Sequence, residues 1–85
     1  MAKATVDKKI LDTLIRAKVA SLEACKGVRP LPVAWQSPDQ AGVNWAISGW
    51  VGANDDVREC EGRMQGYLQV LRANFQIPGE DRAGA

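Results

Sequence analysis

The chain has 85 residues, 46% of them apolar and 25% charged, with a formal net charge of +1 and no histidine. These values describe one ordinary globular domain, lacking both the field that holds a polyanion and the commonest general base. A domain of this size buries only roughly 60% of its unfolded surface, so its stability is modest.

The opening MAKATVDKKI is charged and no apolar leader core follows it. No apolar run is long enough to cross a bilayer. The expectation is a cytoplasmic protein without membrane contact, in which Cys25 and Cys60 are reduced. Charge is divided along the chain. Up to Lys26, six cations accompany three anions; from Asn54 on, four cations face six anions. Opposite signs on two elements favour packing them together, or a dimer, over holding one charged polymer, although screening keeps that preference mild.

In chain order, the first predicted helix covers residues 5–25. Val6, Ile10, Leu11, Leu14, Ile15, Leu22 and Cys25 fall on one side of a helical wheel, with Ala17 beside them, and Lys9, Asp12, Arg16 and Glu23 opposite. Thr5 reads as its N-cap, Asp7 as a first-turn acid and Gly27 as its terminator. Residues 28–36, VRPLPVAWQ, cannot be helical with two prolines and read as a strand with Leu31, Val33 and Trp35 on one face. Pro30 and Pro32 are two apart, which puts both missing N–H groups on one outward edge. SPDQAG, residues 37–42, reads as a turn with Gly42 at positive φ.

Residues 43–51 read as a second strand. Val43, Trp45, Ile47, Gly49 and Val51 share one face; Asn44, Ala46, Ser48 and Trp50 share the other. The second helix covers residues 55–75, with Asn54 as N-cap, Asp55 and Asp56 at its positive end, and a stripe of Val57, Cys60, Met64, Tyr67, Leu68, Leu71 and Phe75. The expected fold class is α+β: a small αββα domain, residues 1–77, with both helices on the odd face of an antiparallel hairpin. Residues 78–85 are expected to form a disordered tail. With strand 1 blunted by proline, the expectation is a homodimer through the free edge of strand 2, with a four-stranded sheet across it, or through the Trp50 face.

Candidate chemistry is sparse. Two cysteines without histidine do not assemble a zinc site. Both lie on apolar helix faces and read as inert core thiols; a bridge is conceivable, since they fall at neighbouring helix ends, but the cytoplasm disfavours it. Asp55, Asp56 and Glu59 could weakly hold a divalent cation, but acids at a helix start need no such role. GWVGAND leads from a strand into a helix like a phosphate cradle, yet lacks the lysine and hydroxyl and places two aspartates where phosphate would sit. Gly62 and Gly66 interrupt the second helix opposite its apolar stripe, either as tolerated surface glycines or as a second contact face.

Trp50 is the sharpest hint. Alternation places it with Ala34, Ala46 and Ser48 on the uncovered sheet face, where a partner would lie, unless helix 2 or the tail folds over it. The function expected is a non-enzymatic interaction or accessory protein, without catalytic residues, metal or cofactor, acting through that face and the strand-2 edge. The alternatives are a small-ligand binder with tryptophans as stacking walls, and a nucleic-acid module using Lys8, Lys9, Arg16 and Lys18, which the balanced charge makes the weaker of the two.

Overall fold

A computed structural model describes residues 3–78. Of the expected tail, residues 78–85, all but the half-buried Pro78 lie outside the described residues. The elements in chain order are β1 (Ala4–Thr5), α1 (Lys8–Ser21), a 3-10 turn (Glu23–Cys25), β2 (Arg29–Pro30), β3 (Val33–Trp35), β4 (Trp45–Ile47), β5 (Trp50–Val51), α2 (Asn54–Asn74) and β6 (Phe75–Gln76). The class is α+β, with two helices packed against antiparallel strand pairs and one short parallel pair between β1 and β6.

α1 is shorter than its hydrophobic pattern. Its N-cap is Asp7, whose carboxylate accepts the Lys9 amide at 2.8 Å, because Thr5 is drawn into β1 beside Gln76. The helix stops at Ser21. Leu22 is extended and Cys25 arrives through the 3-10 turn rather than on the helix face. The buried stripe is therefore Leu11, Ile15 and Val19, rotated from the expected one, and Ile10 stands 50% exposed. α2 begins at Asn54, with Ala53 in the cap position, and buries Cys60, Met64, Leu68 and Leu71 as its pattern requires. Lys18 on α1 lies over the Tyr67 ring of α2, 5.4 Å from its centroid, a cation–π contact between the helices.

The two cysteines form a disulfide, Cys25–Cys60, across 35 residues of sequence. This corrects the reading of two separate core thiols. The 3-10 turn carries Cys25 onto α2 instead of leaving it on α1, and both residues are buried.

The hairpin keeps one register throughout: Trp35 opposes Trp45, Val33 opposes Ile47, Pro30 opposes Trp50 and Arg29 opposes Val51. Its faces, however, change over midway. The Leu31 amide donates to Gly49 O at 2.8 Å, and the Ser48 amide donates to Pro32 O at 3.2 Å. In a regular strand, neighbouring residues address opposite edges. Here consecutive residues on both strands address each other, so the ribbon turns over between β2–β5 and β3–β4.

Two expectations fall at this point. Pro32 directs its carbonyl toward the partner strand, so the two prolines do not share an outward edge. The outer edge of β3 is instead closed by α1, whose Asp12 carboxylate accepts the Val33 amide at 2.7 Å. Beyond the turnover the inward positions are also exchanged. Leu31 and Val51, expected in the core, are each 41% exposed, while Trp50 packs half-buried against the core.

The 37–42 turn is organised by Asp39, whose carboxylate accepts the Ala41 and Val43 amides at 2.9 and 3.0 Å. Gly42 takes φ 81°, as expected. At the start of β4, the C-terminal segment lies alongside. The Asn44 amide donates to Ile77 O at 2.7 Å and accepts from Ile77 N at 3.0 Å. Trp45 Nε1 donates to Phe75 O at 3.1 Å, and Trp45 is wholly buried.

Candidate functional site

The turnover and the early end of α1 together open a groove of about 860 Å³ between the second half of α1, the 3-10 turn and β2. Its floor is the buried apolar edge of the core, including Val19, Cys25 and Val28. Its far wall is β2, the residues after it and the neighbouring Val51 of β5; Leu31, Pro32 and Val51 are exposed. Gly27 turns the chain into that wall at φ 80°, and the disulfide fixes the turn to α2.

Charge around the groove is one-sided. Arg16, Lys26 and Arg29 stand on its walls and all three are exposed; Glu23 is the single acid among the lining residues. Most lining residues are exposed, so the groove is a shallow surface trough rather than an enclosing pocket. None of the residues lining it is aromatic.

The residues singled out from the sequence are not all brought together. Ala34 opposes Ala46 on the outer face of the β3–β4 pair; Ala34 is exposed and Ala46 half-buried. Ser48 is exposed, with its hydroxyl donating to Pro32 O at 2.6 Å. Trp50 lies past the turnover and packs against the core, so it does not share the outer face with the other three. Sequence periodicity does not reveal the groove, because it carries the first helix on to Cys25 and implies unbroken alternation in both strands. The two prolines flanking Leu31, the residue bonded to Gly49, are the available signal, since both residue types disturb a ladder.

The other candidates resolve as follows. Asp55, Asp56 and Glu59 are exposed at the start of α2, and among the described residues no three His, Cys, Asp or Glu side chains are grouped to hold a metal ion. Among the described residues, a Cβ at Gly62 or Gly66 would meet nothing within 4 Å. Among the described residues, no helix is long and apolar enough to cross a membrane. No protein-family model, curated protein or solved structure matches the chain.

Proposed function

We propose that the protein is a non-enzymatic interaction domain, and that its partner docks along the groove beside β2. The carrying observation is the pair of apolar side chains, Leu31 and Val51, that the turnover places 41% exposed at the groove wall. Apolar side chains clustered at a concave surface mark interaction sites more often than scattered ones do. This moves the docking surface away from the Ala34–Ala46–Ser48 face expected from alternation.

The alternatives draw less support. A small-ligand site walled by tryptophans would need an indole at a cavity, but Trp45 is buried and no tryptophan lines the groove. Among the lysines a nucleic acid would use, Lys18 already lies over Tyr67. Self-association through the strand-2 edge remains the second reading. The Asn44 and Trp45 side chains hold the Phe75–Ile77 backbone beside the start of that strand, so pairing there would meet this segment.

The disulfide bears on where the domain acts. Bridges persist in oxidising compartments, whereas a cytoplasmic location keeps cysteines reduced. Thiol alkylation in intact native cells decides between them: unmodified cysteines support an oxidising location, and two alkylated ones support the cytoplasm.

The docking proposal is tested by affinity capture from native extract with wild type and Leu31→Asp. Leu31 is exposed, so the variant keeps its fold by circular dichroism, and the capture it loses reports the groove. Equal capture by both would remove the groove from the proposal.

A further inference from the structure

Resting on the docking reading above, we propose that the groove selects an acidic peptide segment bearing apolar side chains. Three cations, Arg16, Lys26 and Arg29, flank an apolar trough that contains one acid, Glu23. An occupant with carboxylates beside leucine-like side chains meets both features: its apolar groups reach Leu31 and Val51 while its acids face the arginines. Arginine holds carboxylates through paired hydrogen bonds, which adds geometric selectivity to charge.

Other occupants fit less well. Single-stranded nucleic acid also seeks cations but gains much of its binding from stacking on aromatics, and the groove lining has none. A small amphiphile would be enveloped by its site, whereas most of this lining is exposed. Strand addition along β2 is hindered because Pro30 lacks an N–H group and the Val28 amide is already bonded to Cys25 O at 2.9 Å. The occupant is therefore held by its side chains.

The test uses three synthetic peptides of equal length, built from Glu and Leu, Gln and Leu, or Lys and Leu. Each is titrated into the disulfide-intact protein and followed by amide chemical shifts. The Glu–Leu peptide is expected to shift amides of residues 22–26, 29, 31 and 51. Reversing two exposed charges, Arg16→Glu with Arg29→Glu, should weaken it by roughly tenfold and favour the Lys–Leu peptide instead. Equal binding of the Glu–Leu and Gln–Leu peptides at these residues, unchanged by the reversal, overturns the acid selectivity and leaves the docking reading standing. Absence of groove shifts with all three peptides, or shifts confined to other surfaces, overturns both.

Discussion

The carboxylate of Asp12 shows how one polar side chain can join two layers. It lies on the polar side of α1, and its Oδ1 takes the outward amide of Val33, the group a sheet edge leaves unpaired. A part-buried hydrogen bond to a charged acceptor contributes about 1.5–3 kcal/mol. Asp12→Ala should lower unfolding free energy toward the bottom of that range, and Asp12→Asn, which keeps a carbonyl acceptor, should recover part of it. Urea denaturation of the three proteins checks the order; a neutral Asp12→Ala would mean that water replaces the carboxylate at Val33. Nothing in the sequence pattern separates this aspartate from Lys9 or Arg16 on the same side. Periodicity reports which residues avoid the core, and the specific amide that a polar residue meets is set by tertiary placement.

The elements repeat that division. The two amphipathic helices and the hairpin were legible, because stripes such as Cys60–Met64–Leu68–Leu71 have a period no strand can use. The turnover between β2–β5 and β3–β4 was not, since alternation carries no record of where a ribbon twists. Its consequence can be measured at Trp50. A tryptophan on an open face would be removed at little cost, whereas one packed on the core leaves a hole. Trp50→Ala should therefore destabilise by about 2–3 kcal/mol, less than for a fully buried indole. The bridge is the second element-scale contribution. Closing a loop over a 35-residue separation restricts the unfolded chain. The loop-entropy relation puts this at about 4 kcal/mol. Cys25→Ala with Cys60→Ala should lose up to that amount in denaturant, while reductant should produce a similar loss in the wild type alone. Equal stability of oxidised and reduced wild type would show that core contacts between the turn and α2 already fix Cys25.

At the scale of the whole molecule, the first and last described strands are joined. β1 and β6 pair in parallel, the Val6 amide donates to Gln76 O at 2.8 Å, and Ile77 is buried while its backbone is clasped by Asn44. The segment thus does two things: it completes the core beneath Trp45 and lies along the start of strand β4. Removing it should separate these effects from those of the tail. A chain ending at Pro78 serves as the reference, and a chain ending at Asn74 lacks the clasp. The shorter chain loses a buried isoleucine, two hydrogen bonds to Asn44 and the partner of Trp45 Nε1. A buried isoleucine alone accounts for about 2–5 kcal/mol, a large share of the 5–15 kcal/mol available to a small domain. Denaturation should shift accordingly, and Trp45 emission should move to longer wavelength as water reaches its indole. Uncovering β4 should also make sedimentation of the shorter chain depend on concentration more steeply than that of the reference, since an unguarded strand edge invites pairing. Two chains that sediment alike as monomers would argue against strand-2 pairing as a route to a dimer. Two that dimerise equally would show that the C-terminal segment does not guard the edge.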